Sequence, residues 1–251
     1  MGWEKDTAAA IFDAYRRKRG SQQIASEFAL HGLLKELERR KPAEVLELGP
    51  GIGATTQTLV AGLDRTVGRG GWTLTAVEEN AFCNGELVRN LGPDAERITI
   101  VDAIDALDRD TQTYDLVLVD GPGSARGYFD RLRPRAVVFV ENLRHDQRNE
   151  LTSLLGDRSW VTRSAWPFFT TEQMGGYHVF QLDPSPWEQA SYPVRAAVQR
   201  GGCTARVGIR RVLGRLHLTA IITWFEARAD GHRITAAEFA DPRVMAEGPD
   251  A

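Results

Sequence analysis

Residues 44–53 read Glu44-Val45-Leu46-Glu47-Leu48-Gly49-Pro50-Gly51-Ile52-Gly53. A short apolar strand runs straight into a loop with glycine at every second position. Apolar runs without polar alternation suit strands covered on both faces. Glycines adopt φ values that other residues avoid, and they let backbone pass close to a ligand. Ala54 to Leu63 then reads as a helix. The unit repeats: strand Trp72 to Val77, helix Ala81 to Leu91, strand Arg97 to Val101, strand Tyr114 to Val119, strand Ala136 to Val140, helix Gln147 to Leu155. Strands alternating with helices predict βαβ units and an α/β fold with a mostly parallel sheet. Ser159 to Trp166 and Tyr177 to Leu182 are strand-like with only a loop between them. They predict an antiparallel hairpin closing the sheet edge.

Upstream, Ala8 to Arg40 reads as helical from Ile24, Phe28, Leu33, Leu34 and Leu37. Gly20-Ser21 splits it, with Ser21 placed to cap the second helix. Lys41-Pro42 ends the region, and Asp183-Pro184-Ser185-Pro186 is the next breaker cluster. The expected organisation is an N-terminal helical cap over residues 1–41, a sheet core over 42–183 and a C-terminal extension over 184–251.

Composition narrows the classes. The chain has 251 residues and 2 Cys, so it is long enough for a packed core and too poor in cysteine for a disulfide framework. A net charge of −3 with 42% hydrophobic residues argues against disorder and gives no global argument for nucleic acid. No apolar run approaches the ~18–20 residues of a membrane span. Met1 to Asp13 has no apolar stretch behind a basic start, so no signal peptide is expected, and a reducing, cytoplasmic setting is the expectation.

In an open α/β sheet, ligands bind beyond the carboxyl ends of the strands. The residues there are Glu47 and the loop Gly49, Pro50, Gly51 and Gly53; then Glu78-Glu79-Asn80; then Asp102-Ala103; then Asp120; then Glu141-Asn142. A carboxylate offers two acceptor oxygens, enough for both hydroxyls of a ribose. Each acid alone reads equally as a helix cap or a solvated carboxylate. Their order, on one sheet edge, is the signal. Gly49, Gly51 and Ala54 also satisfy G-x-G-x-x-G/A, so a nicotinamide oxidoreductase is the alternative. That pattern wants its acid about 20 residues on. Glu78 comes later, and the terminal hairpin does not suit a second mononucleotide half.

These residues resemble class I S-adenosylmethionine-dependent methyltransferases over roughly Ser21 to Asp183. Glu47 to Gly53 is similar to the family's first motif, around the methionine part of the cofactor. Glu78 resembles its ribose-binding acid, Asp102-Ala103 its adenine-side turn, and Tyr114 to Asp120 its fourth-strand motif near the transferred methyl. The resemblance implies a Rossmann-like, seven-stranded sheet with an antiparallel last strand. It implies S-adenosylmethionine as cofactor and a small-molecule acceptor, with methylation at oxygen. It leaves open a protein of this fold that binds the cofactor without methyl transfer.

A narrower resemblance is to the metal-dependent, catechol-type O-methyltransferases, through Asp120 and Glu141-Asn142. It implies Mg²⁺ held by Asp120, Glu141 and Asn142, since a hard divalent cation takes oxygen ligands and acidifies a bound hydroxyl. Two departures stand out. Glu141 replaces the usual Asp, and the general-base Lys position falls on Gly123. His145 is the nearest titratable candidate for the proton, alongside Asp120 as catalytic residue.

Trp166 to Tyr177 is a long aromatic connection that suits a lid over an apolar substrate or a wall buried against the N-terminal helices. From Gln189 to Phe225 there is no Asp or Glu, and Val212, Leu213, Leu216, Ala220, Ile221, Trp224 and Phe225 fit one helical face. A helix of that kind packs its apolar face on the core or on a second subunit, so a homodimer through the extension is an expectation. A nucleic-acid methyltransferase using the basic tail is a further alternative.

Overall fold

The computed structural model describes residues 2–108, 112–121, 124–142, 145–156, 159–165 and 176–189. In chain order the elements are α1 (Trp3–Tyr15), α2 (Glu27–Arg40), β1 (Glu44–Leu48), α3 (Ala54–Thr66), β2 (Thr73–Val77), α4 (Ala81–Leu91), β3 (Thr99–Val101), β4 (Tyr114–Val119), the short α5 (Arg126–Phe129), β5 (Leu132–Glu141), α6 (His145–Leu155), β6 (Trp160–Ala165) and β7 (Tyr177–Leu182). The seven strands form one sheet in the order β3-β2-β1-β4-β5-β7-β6. The first five run parallel, and β7 is antiparallel to both β5 and β6. The predicted α/β fold and edge hairpin are therefore present. A dinucleotide fold would instead carry a sixth parallel strand beyond β5.

Side chains alternate across each strand, and the two faces build separate cores. Val45, Leu74, Leu116, Leu118, Val137 and Phe139 pack with α1, α2, α3 and the start of α4. Leu46, Leu48, Val117, Val119, Val138 and Val140 pack with α5 and α6. The N-terminal helices thus share one core with the sheet; Leu30, Leu33, Leu34 and Leu37 of α2 are wholly buried there. Gly32 of α2 admits the ring of Tyr177, which stacks on Phe139 at 4.8 Å between centroids. Asp115 anchors the start of β1 by accepting from the Ala43 and Glu44 N–H groups at 3.1 and 3.0 Å.

Two local expectations change. Ser21 does not cap α2; its hydroxyl donates to the Arg16 carbonyl at the end of α1. The break after α1 is longer than one Gly-Ser pair, and the cap is Ser26, whose Oγ accepts from the Ala29 N–H at 3.1 Å. Ile24 lies in that connector, outside α2. β5 begins at Leu132 rather than Ala136, because Leu132 pairs with Tyr114 across an irregularity where Arg135 takes φ 67°. Pro134 in the middle had hidden that extension. Among the described residues no helix is long and apolar enough to cross a membrane. Most of the aromatic connection (166–175) and nearly all of the C-terminal extension (190–251) lie outside the described residues.

Candidate functional site

β1 passes into its loop without losing register. The Gly49 N–H donates to the Val77 carbonyl at 3.0 Å, the Asp120 N–H to the Leu48 carbonyl at 2.9 Å, and the Glu78 N–H to the Val101 carbonyl at 3.0 Å. The carboxyl ends of β1, β2 and β4 are therefore held side by side. Gly49, Gly51 and Gly53 all have positive φ (77°, 56° and 100°), which explains glycine at each. A Cβ on Gly51 would meet nothing within 4 Å, so this loop backbone stands open to the space above it.

That space is a cavity of about 530 Å³. Its floor is Gly49, Pro50 and Gly51, one side carries Glu78, Glu79 and Asn80, and another Asp120 and Gly121. The Glu78 carboxylate braces the floor: Oε2 accepts the Gly51 N–H at 2.9 Å and Oε1 the Asn80 N–H at 2.8 Å. Burial raises the Glu78 pKa, and these two N–H groups oppose the rise. Each oxygen keeps a second lone pair for a ligand hydroxyl. Asn80 in turn caps α4, accepting from the Cys83 N–H at 3.0 Å.

Glu47 is wholly buried and is not on the cavity wall. Its Oε2 accepts from the Thr56 hydroxyl at 2.7 Å. Burial lifts its pKa to about 7, against the pull of the Thr55 and Thr56 hydroxyls; the charges of Asp120 and Glu78 add to the rise. The Thr55 hydroxyl faces the Glu47 carboxylate and favours its ionised form. Thr55 is buried and belongs to the cavity wall.

Strand alternation explains the grouping of acids. Counting by two from Val45, Leu74, Leu118 and Phe139 puts Glu47, Glu78, Asp120 and Glu141 on the face covered by α1, α2 and α3.

Solved structures of similar shape share this arrangement of sheet and helices. The O-methyltransferase TomG from Streptomyces achromogenes, involved in tomaymycin synthesis and crystallised with S-adenosylmethionine, superposes with a TM-score of 0.54 at 18% identity, covering 73% of this chain and 91% of its own. An O-methyltransferase from Bacillus cereus in complex with S-adenosylhomocysteine gives 0.54 at 11% identity, covering 72% and 91%. A Podospora anserina methyltransferase bound to S-adenosylhomocysteine gives 0.53 at 15%, covering 71% and 88%. The chain has the class I methyltransferase fold. No protein-family model and no curated protein matches the sequence.

On this methyltransferase fold, the predicted residues fall into three groups. Gly49, Pro50, Gly51, Glu78, Glu79 and Asp120 line one cavity. Gly53 and Glu47 lie behind it, Gly53 at the start of α3 and Glu47 under the loop. Asp102 and Ala103 are exposed and off the cavity wall; Asp102 accepts from the Asn84 side chain at 3.0 Å, and the next residue, Ile104, reaches the cavity instead.

Two members of the metal set end neighbouring strands: Val119 pairs with Val140, so Asp120 and Glu141 follow side by side at the ends of β4 and β5. Asp120 lines the cavity, while Glu141 is buried at the end of β5 opposite Tyr177, and neither Glu141 nor Asn142 reaches the cavity wall. Asn142 has φ 60°, and its N–H donates to the Gly176 carbonyl at 2.8 Å. Among the described residues no group of three His, Cys, Asp or Glu could hold a metal. His145 opens α6, and its side chain and Gly123 lie outside what the structure describes.

Sequence reading missed the wall built by the α1–α2 connector. Gly20, Gln23, Ile24 and Ala25 all line the cavity. Gly20 has φ 83°, and a Cβ there would fall 2.9 Å from both Ile52 and Phe82, so the connector is pressed onto the glycine loop. The Gly20-Ser21 pair was the available signal, but it also reads as an ordinary helix break. Thr55, Cys83 and Ser124 were missed as well. Cys83 is buried, and burial pushes its thiol up to about 12, which makes it a spacer rather than a nucleophile.

Proposed function

We propose that this protein is an S-adenosylmethionine-dependent methyltransferase acting on a small molecule, at a hydroxyl oxygen. One observation carries the reading. The glycine loop, Glu78 and Asp120 meet on a single cavity at the carboxyl ends of β1, β2 and β4 of a methyltransferase fold.

The residues suit the cofactor chemically. Positive-φ glycines provide close backbone approach. Glu78 has acceptor capacity for the two ribose hydroxyls while it braces Gly51. The Thr55 hydroxyl on the cavity wall, with the buried Glu47 carboxylate behind it, suits the polar amino-acid end of the cofactor. Asp102-Ala103, with Ile104 on the cavity wall, stands on the base side. When bound, the cofactor supplies an electrophilic methyl group on a sulfonium.

Asp120 lies where that methyl would be presented. Its carboxylate can accept a hydrogen bond from the acceptor hydroxyl, aim an oxygen lone pair at the methyl and stabilise the proton as it is shed. The connector Gln23 to Ala25 and Ile104 close the sides, which keeps water from competing. Positioning is the main service such a site performs.

Calorimetric titration with S-adenosylmethionine, S-adenosylhomocysteine and NADH tests the cofactor. Binding of the first two without NADH is expected; NADH binding alone overturns the reading. Release of S-adenosylhomocysteine from a panel of hydroxylated small molecules, with Mg²⁺ and with excess EDTA, then tests the transfer. Tight cofactor binding with no product from any acceptor would make this a binding module.

A further inference from the structure

Helix α6 buries Leu151 and Leu155 on the sheet face opposite the one that carries Glu47, Glu78 and Asp120. Two of its polar side chains nevertheless reach residues of the cavity wall. Gln147 and Glu150 stand three residues apart and so project from one side of the helix. Gln147 is buried, and its Nε2 donates to the Gly121 carbonyl at 2.5 Å. The Glu150 carboxylate accepts from the Ala125 N–H at 2.6 Å and from the Ser124 hydroxyl at 2.5 Å. Gly121 and Ser124 both line the cavity.

The bond from Gln147 matters because of what precedes Gly121. The Asp120–Gly121 pair is held at both ends. The Asp120 N–H donates to the Leu48 carbonyl at 2.9 Å, and the Gly121 carbonyl accepts from Gln147. Gly121 is also pressed against the glycine loop, since a Cβ on it would fall 2.9 Å from the Gly49 Cα. That contact demands glycine, and glycine leaves its own backbone free to turn. The turn after β4 therefore needs a restraint from outside, and Gln147 supplies one. Methionine or leucine would fill the same buried space and leave the Gly121 carbonyl without this donor.

We infer that Gln147 is a positioning residue for Asp120: its hold on the Gly121 carbonyl fixes the backbone from which the Asp120 carboxylate is presented to the transferred methyl. The inference rests on the methyltransferase reading above, in which Asp120 stands beside that methyl. Gln147 does not line the cavity, so it acts through Gly121 and Asp120.

The test compares two ligands and needs no acceptor. Sinefungin carries a charged amine in the place of the methyl, and S-adenosylhomocysteine has no group there. In Gln147→Met, which keeps the length of the side chain and loses its donor, sinefungin affinity should fall about 5- to 10-fold, the ratio for roughly 1–1.4 kcal/mol. Affinity for S-adenosylhomocysteine should stay unchanged. Gln147→Leu should repeat this selective loss. In an Asp120→Asn background, Gln147→Met should add no further loss for sinefungin, because the two residues act as a unit. Equal losses for both ligands would reduce Gln147 to packing. No loss for either would detach it from Asp120, and a full further loss in the Asp120→Asn background would give it another route. Each of these results overturns the inference and leaves the cofactor reading standing. Failure of the unaltered protein to bind either ligand overturns the cofactor reading and this inference with it.

Discussion

A Cβ on Gly49 would fall 2.4 Å from the Cα of Gly121, a distance no real pair of such atoms tolerates. The loop after β1 and the turn after β4 thus touch backbone to backbone. This contact brings the glycine loop and Asp120 to the same cavity.

Gly49→Ala should therefore be much worse than Gly51→Ala. Both positions have positive φ, a strain of about 1–2 kcal/mol for a residue with Cβ. Only Gly49 adds a backbone clash. Chemical denaturation should show a loss of about 1–2 kcal/mol for Gly51→Ala and a clearly larger one for Gly49→Ala. Equal losses would mean that the β1 and β4 loops are not in contact.

Glu47 sets a pH dependence with a definite sign. Its folded pKa, about 7, lies above its ordinary value of 4.5. The folded protein holds this proton more tightly than the unfolded chain. The group's contribution is whole below about 4.5, falls as pH rises towards 7 and is lost above that. A cationic ligand favours the ionised carboxylate, so its binding should strengthen as pH rises through 7 and release a proton. Calorimetry in buffers of different ionisation enthalpy reads that proton directly. Glu47→Gln should abolish its release.

Glu78 has two duties, and two variants separate them. Glu78→Ala removes the brace on Gly51 and Asn80 as well as the ribose acceptor. Cofactor affinity should drop by about 1.5–3 kcal/mol, the scale of a hydrogen bond to a charged group. Glu78→Gln keeps one acceptor oxygen and should lose less. Identical affinities for all three proteins would remove Glu78 from the cofactor site.

The cap of α2 offers a test confined to folding. Ser26→Ala should cost about 1 kcal/mol in thermal or urea unfolding, since Ser26 holds the Ala29 N–H. Ser21→Ala removes only a bond to the Arg16 carbonyl and should not unwind α2. The reverse ranking would return the cap to Ser21.

How far the sequence could be read follows from what each signal depends on. β1, β4, α4 and β7 keep their predicted bounds, because an apolar run between breakers depends only on local residues. The start of β5 does not, since a proline inside a strand hides the pairing that Leu132 makes with Tyr114. At the site, Gly49, Gly51, Glu78 and Asp120 were legible because strand ends and positive-φ glycines share one sheet edge. The Gly20 to Ala25 wall was not, because it arrives from an element that no strand register fixes.

The alternation that puts Glu47, Glu78 and Asp120 on one face also has a meaning for turnover. In the proposed reaction the ligand enters as a sulfonium and, once its methyl has gone, remains as a neutral thioether. Asp120, the acid beside the methyl in this proposal, would attract the first form and have less hold on the second. On that proposal the strand periodicity that sets Asp120 on this face would let the site distinguish reactant from spent product and favour release once the methyl has gone.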